Sequence, residues 1–273
     1  MSATLTSSQP LTVSPGTPVR LSEFDARYKG DVDGKKAARR ELRENREALA
    51  ELGYRLYAEN RRGLLLVLQG MDTSGKDGTI RHVMLGFNPQ QCRVRSFKQP
   101  SLEELDHDFL WRIAKALPAK GEIGIFNRSH YEDVLIVRVH NLVPPEVWRK
   151  RYERINAFER LVTEGGTQLI KVFLHISKRE QRERLQARLD NPKKRWKFSH
   201  ADVEERRFWD DYQAAYEEAL TQCNTEHAPW YVVPADRKWY RNLIVSRLLR
   251  RALERMDPRF PRPESGIEGL VIE

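Results

Sequence analysis

The sequence predicts an α/β fold, a five-stranded parallel sheet flanked by helices, on three observations. Apolar runs of strand length alternate with amphipathic helical stretches, the order that places helices on both faces of a parallel sheet. The run Leu64–Leu68 is apolar at every position, as suits a strand buried on both faces. A glycine-bearing turn, Gly70–Lys76, follows that run directly and leads into a helix. The chain has 273 residues, 40% of them hydrophobic, so it can bury a substantial core, which excludes a disordered polypeptide.

The elements follow in order. Residues 1–30 are expected to form a mobile N-terminal tail, the first 20 being rich in Ser, Thr and Pro. A helix over Lys35–Asn60 carries Leu42, Leu49, Leu52 and Leu56 on one face. After the strand Leu64–Leu68 come a helix over Asp77–Leu85, a strand over Cys92–Phe97, a helix over Ser101–Ala116 and a strand over Ile123–Asn127. A helix over Pro144–Thr163 starts with proline in its first turn. Then follow a strand over Gln168–Ile176, a basic helix over Lys178–Leu189, and a helix from Ser199 to about Asn224. Its Ser199–Asp202 start resembles a capping box, and its stripe of Trp209, Tyr212, Tyr216 and Leu220 reads as core. A fifth strand over Trp230–Pro234 and a helix over Trp239–Met256 complete one domain, residues 31–257. Residues 258–273, with Pro258, Pro261 and Pro263, read as a C-terminal tail.

Composition narrows the function classes. Two cysteines, Cys92 and Cys223, cannot build a disulfide framework or a CxxC metal site. Residues 1–20 lack the basic and apolar regions of a secretory signal, and the longest apolar run is far too short to span a membrane. A cytoplasmic protein with no membrane partner is expected. The seven histidines show no zinc-binding spacing. The net charge of +9 points to a polyanionic partner.

The turn Gly70-Met71-Asp72-Thr73-Ser74-Gly75-Lys76 matches GxxxxGK between a buried strand and a helix. Glycines let successive N–H groups curl around one anion, the helix adds its positive end, and Lys76 adds a full charge. Where the usual motif has a Mg²⁺-binding hydroxyl, this chain has Asp77, followed by Gly78 and Thr79. Oxygen ligands for Mg²⁺ must come from elsewhere. Asp72 is one candidate. Asp133, beyond the strand ending at Asn127, is the other, because parallel strand ends line one crevice. A helix-capping role is the alternative for Asp133. Arg128 suits charge stabilisation on a transferring phosphoryl group, or an ion pair with Glu132. Asn127 and Glu132 share that crevice, and Lys98 also points towards it. For His130 a structural hydrogen bond fits better than a phosphate contact.

Residues 178–197 hold nine basic and three acidic side chains, a net +6 and two thirds of the total charge. Here a mobile lid would bring cations such as Arg188, Lys194 and Lys197 over the phosphates. A nucleic-acid groove would interleave aromatics, and only Trp196 and Phe198 do so.

Together, Gly70–Thr79, Asn127–Leu135 and Lys194–Ser199 closely resemble the polyphosphate kinase 2 family, over about Ala37–Met256. The resemblance implies a P-loop kinase fold similar to thymidylate kinase, with a helical lid. It implies Mg²⁺, with Mn²⁺ as a substitute, held by Asp72 and Asp133, and phosphate contacts from Lys76 and Arg128. His130 and Glu132 resemble the family's class III, whose members act on both nucleoside mono- and diphosphates. The implied reaction moves phosphoryl groups between inorganic polyphosphate and AMP, ADP or ATP, with GMP and GDP as further acceptors. No nucleic acid is involved, and a homodimer or homotetramer is expected. Asp77 is itself part of the family's pattern. The residues alone leave an ATP-dependent nucleoside monophosphate or small-molecule kinase open, since it needs the same loop, metal and lid.

Overall fold

A computed structural model of the chain describes residues 12–267 and 270–272. The first long helix, α1 (Gly34–Glu59), ends where Asn60 adopts a left-handed conformation (φ 51°). It is followed by β1 (Gly63–Gln69), α2 (Lys76–Met84) and β2 (Cys92–Ser96). Two one-turn helices, α3 (Leu102–Leu105) and α4 (Trp111–Ala114), lead to β3 (Ile123–Asn127). A 3₁₀ turn over His130–Val134 continues into α5 (Ile136–Val139) and α6 (Pro145–Glu164). The second half holds β4 (Thr167–His175), α7 (Lys178–Asp190), α8 (His200–Glu205), α9 (Trp209–Gln222), β5 (Trp230–Pro234) and α10 (Lys238–Met256).

All five strands are parallel, in the order β2-β3-β1-β4-β5. The continuous apolar run in β1 follows from its central place. Leu64, Leu66 and Leu68 point into a core shared with α1, α2 and α10, while Leu65 and Val67 point to the other face with Phe97, Ile113 and Phe126. On that second side α6 and α9 build a further core around Tyr131, Trp148, Ile155, Phe173 and Trp230. Trp209, Tyr216 and Leu220 are buried in it, as the stripe predicts.

The register between β1 and β3 positions the site. Leu68 lies opposite Asn127, so the two strands end side by side. The amide of Arg128 then donates to Leu68 O, 3.0 Å away. Gly70–Lys76 and Asn127–Asp133, far apart in sequence, thereby meet at one edge of the sheet.

Three expectations need correction. Residues 12–30 are packed, not a mobile tail. Val13, Val19 and Leu21 are buried, and the amides of Val19 and Leu21 donate to Thr221 Oγ1 and Glu217 Oε1 on α9. The Ser/Thr/Pro composition conceals three apolar anchors, and the remaining part of that expectation, residues 1–11, lies outside the described residues. The helix expected over Ser101–Ala116 is broken in two. Ser101 and Glu104 cap the first turn, and Asp108 then accepts the Leu110 amide and restarts the chain, a local bond that competes with helix continuation. The helix from Ser199 keeps its capping box but passes through a 3₁₀ turn at Arg206–Phe208 before α9. The 3₁₀ turn at His130–Val134 and α5 carry no periodic apolar signal and were not expected. No helix among the described residues is long and apolar enough to cross a membrane.

Candidate active site

The loop between β1 and α2 is forced into shape from both sides. Gly70 has φ 148°, and a Cβ there would sit 2.8 Å from Leu174 O. Gly75 has φ 106°, and a Cβ there would fall 1.7 Å from Arg241 Nη1. Both positions therefore require glycine. Thr73 and Arg128, both non-glycine, also occupy the left-handed region at φ 63°. Strain of this kind persists only where surroundings over-determine the backbone.

Two guanidinium groups hold the loop's carbonyls. Arg184 on α7 donates to Thr73 O and Ser74 O (both 2.9 Å) and to Ala235 O and Asp236 O after β5. Arg241 on α10 donates to Ser74 O (3.1 Å). Burial, with Arg184 adding like-charge repulsion, pulls Arg241 down to about 9. Sequence reasoning missed Arg241. Arg184 lies within the basic stretch 178–197, but its Nη1 is on the loop carbonyls and its other donors are on Glu180, Ala235 O and Asp236 O.

On the front of the loop Lys76 Nζ donates to Gly70 O (2.6 Å) and Met71 O (3.3 Å). Burial, helped by Arg128, lowers its pKa to about 8 against the pull of Asp72, Glu132 and Asp77. Arg128 joins the two motifs. Its Nη2 donates to Asp72 Oδ1 (3.0 Å) and its Nη1 to Glu132 Oε2 (3.2 Å). The charge of Glu132, then that of Asp72, holds Arg128 firmly protonated against its burial. Asn127 Nδ2 donates to Asp77 Oδ1 (2.9 Å), a second link between the motifs.

A cavity of about 910 Å³ opens over this loop. Asp72, Thr73, Gly75, Lys76, Asp77, Gly78, Asn127 and Arg128 line it, together with Arg188, Lys194 and Lys197 of the lid. It is also lined by cations that sequence reasoning did not single out: Lys35 and Arg39 on α1, Arg81 on α2 and Lys238 on α10. Their signal was present only as basic positions on amphipathic helices, which is indistinguishable from a solvated face. A second, smaller cavity meets the first at Asp72 and Arg128. It is lined by Gly70, Glu132, Glu205, Arg206, Tyr212 and Tyr216, among others. Tyr212 donates to Glu205 Oε2 (3.0 Å). Tyr212 and Tyr216 thus sit at a cavity as well as against the core.

Several expected site residues are placed elsewhere. Ser74 is buried and its Oγ has no hydrogen-bond partner, while the Thr79 hydroxyl donates to Gly75 O inside the helix. Lys98 is exposed after β2 and lines neither cavity; its carbonyl accepts from Arg112 Nη1. Asp133 also lines neither cavity. Its Oδ1 accepts from Arg151 Nη1 (3.4 Å), Arg112 approaches its Oδ2 at 3.7 Å, and Oδ2 has no hydrogen-bond partner. Burial pushes its pKa up to about 6 in spite of Arg151 and Arg112. It caps no helix, because Ser129 caps the 3₁₀ turn by accepting the Tyr131 amide. His130 is buried on Glu159, the structural role expected of it.

Among the described residues no three His, Cys, Asp or Glu side chains cluster as a metal site. Mg²⁺ does not require such a cluster, since one or two carboxylates hold it and its other oxygens come from water and phosphate. Asp72 fits this donor role, since it is half-exposed at the junction of the cavities. Asp133 Oδ2 has no hydrogen-bond partner but is buried beside Arg112, outside both cavities.

A strand-loop-helix phosphate cradle, a lysine and a bridging arginine under a basic lid define a P-loop phosphotransferase. The chain belongs to the polyphosphate kinase 2 family, whose model matches residues 33–261. It is 52% identical over 265 residues to the AMP/ADP-polyphosphate phosphotransferase of Meiothermus ruber, covering 96% of this chain and 98% of that protein. It is 47% identical to the ADP-polyphosphate phosphotransferase of Rhodopseudomonas palustris, covering 91% of this chain and 90% of the relative. The crystal structure of polyphosphate kinase 2 from Arthrobacter aurescens TC1 superposes with a TM-score of 0.92 at 42% identity, covering 97% of this chain and 96% of that one.

The geometry makes two predictions. Lys76 loses its proton above about pH 8, so affinity for inorganic polyphosphate should fall as pH rises through that value. Measuring KM from pH 7 to 9.5 checks it, and Lys76→Arg should flatten the profile. For Asp133, the folded state holds a proton that the unfolded chain releases between about pH 4 and 6. Its contribution to stability therefore falls across that window and stays low above it. Asp133→Asn should unfold at or above the wild-type midpoint at pH 7.5, by ~1–2 kcal/mol at most, yet lose most transfer activity. Thermal melts at pH 5 and 7.5 with parallel assays test both halves.

Proposed function

We propose that this enzyme transfers the terminal phosphoryl group of inorganic polyphosphate to AMP and to ADP, forming ADP and ATP reversibly. The observation that carries the reading is the large cavity over the phosphate loop, lined by cations from α1, α2, α10 and the lid and reaching Asp72 and Arg128, where a smaller cavity begins. The larger is basic on several sides and suits a polyanion without a base or sugar. The smaller, about 40 Å³, cannot enclose a nucleotide and presents carboxylates, tyrosine hydroxyls and an arginine beside Arg128. Phosphoryl transfer would occur where donor and acceptor phosphates face that same Arg128.

The residues then divide the work. The backbone of Gly70–Lys76 and the start of α2 hold the transferring phosphoryl group. Lys76 and Arg128 neutralise charge that spreads over its oxygens in the loose transition state. Arg188, Lys194 and Lys197 cover the chain and exclude water. The acceptor phosphate is already anionic at neutral pH, so no strong general base is needed. Mg²⁺, with Mn²⁺ as a substitute, would be held by Asp72 with help from Asp133 and would supply further charge neutralisation at the phosphate oxygens. Glu132 is our candidate for acceptor recognition. The reading also makes the enzyme cytoplasmic, where nucleotide acceptors lie and Cys92 and Cys223 stay reduced, and a homodimer or homotetramer.

Two experiments test this. Incubation with AMP, Mg²⁺ and polyphosphate without ATP should yield ADP and then ATP, followed by chromatography. Absence of product there, with product from ATP and AMP, would replace polyphosphate by ATP as donor. Charge reversal of the outer cavity wall, Lys35→Glu with Arg39→Glu, should raise KM for long polyphosphate about tenfold. The KM for tripolyphosphate, which reaches less of the wall, should move much less.

A further inference from the structure

Behind the second motif lies a group of buried ionisable side chains that lines neither of the two cavities. Lys171 interrupts the apolar centre of β4 and is fully buried, as are Glu159 on α6 and Tyr131 and His130 on the 3₁₀ turn. All three Lys171 donors are used. They go to Glu159 Oε2 (2.6 Å), Cys223 O (2.6 Å) and Tyr131 Oη (2.9 Å). Glu159 Oε1 accepts from Tyr131 Oη (2.8 Å) and lies 3.1 Å from His130 Nε2. Burial opposes the Glu159 carboxylate, but Lys171 and His130 outweigh it and hold the group ionised.

A buried ion pair of this kind is weak evidence for stability, because apolar residues of similar volume often serve as well. Its connections say more. The network grips His130 and Tyr131, between the strained Arg128 and the Glu132 that receives Arg128's Nη1. The tyrosine ring is packed edge-on against Trp230, with ring centres 4.7 Å apart. A turn with two residues clamped from behind has little freedom to let the next residues swing.

We propose that the buried Lys171–Glu159 pair, acting through Tyr131 and His130, positions Arg128 and Glu132 for phosphoryl transfer. Lys171, Glu159 and Tyr131 are thus positioning residues. The proposal rests on the reading of Arg128 given above. A guanidinium displaced by an ångström loses much of its transition-state contact, whereas the cations along the large cavity stand on other elements.

The test replaces the pair by apolar residues, Lys171→Met with Glu159→Leu, and separately cuts the link with Tyr131→Phe. The double variant should melt near the wild-type temperature. Its kcat for AMP phosphorylation should fall about 10–100-fold while KM for polyphosphate stays within about twofold. Tyr131→Phe, which keeps the ion pair, should lower kcat about fivefold with KM for polyphosphate likewise unchanged. If the double variant does not fold, Tyr131→Phe decides. A folded variant with kcat within twofold of wild type overturns the proposal, as does a loss confined to thermal stability. Arg128→Ala separates the two levels. If it is inactive while the network variants are fully active, positioning alone fails; if it is active, the reading of Arg128 fails and the proposal with it.

Discussion

The pairing of β1 with β3 in one register is the constraint on which the site depends. Leu68 opposite Asn127 ends both strands at the same height, and a hydrogen bond from the Arg128 amide N–H to Leu68 O ties down the turn that follows. Slipping this register would carry Arg128 away from Asp72 and turn the strand's apolar side chains to the wrong faces. The central run of β1 prevents that, because Leu64, Leu66 and Leu68 are committed to one core and Leu65 and Val67 to another. Packing of hydrophobic side chains on two faces is therefore what sets the distance between a lysine and an arginine at the strand ends.

The positive charge of the chain serves two different purposes. Some cations are structural. Arg184 and Arg241 each donate through Nη1 to carbonyls of the phosphate loop, with their other donors on Glu180, Ala235 O and Asp236 O and on Asn242, and Arg195 donates to Leu189 O within the lid. Arg184 and Arg241 also line the large cavity, together with Arg188, Lys194 and Lys197 and, from α1, Lys35 and Arg39. Of the nine basic residues in 178–197, Arg184, Arg188, Lys194 and Lys197 line this cavity. This explains why the basic stretch was a correct pointer to the site but a poor guide to which of its members face it.

Two of the strained positions lie beside buried polar groups. Thr73 and Arg128 share the left-handed region, and each is flanked by buried polar groups that hold it there: Arg184 and Arg241 for the first, the Lys171–Glu159 network for the second. The pKa directions follow the same geometry. Desolvation lowers Lys76 and Arg241 and raises Asp133, while Arg128, facing two carboxylates, is held charged. A phosphate chain arriving at Lys76 would supply the counter-charge that the loop itself withholds.

The periodic and punctuated parts of the fold were legible without coordinates. Alternating strands and helices gave the parallel sheet, glycine and lysine spacing gave the phosphate loop, and the Ser199 capping box was read from four residues. Segments lacking periodicity were not legible. The 3₁₀ turn at His130–Val134 has no repeating apolar stripe, and the break inside residues 101–116 comes from one local Asp108 bond. The packing of residues 12–30 depends on Val13, Val19 and Leu21 meeting α9, about 200 positions away in sequence. By itself the sequence determined the fold class and the chemistry at the site, because both are written in short-range spacing. Only the tertiary structure decided which cations face the cavity, that Asp133 turns to Arg112 and Arg151, and that Lys171 lies behind the catalytic turn. Those outcomes depend on contacts between residues whose separation along the chain carries no period.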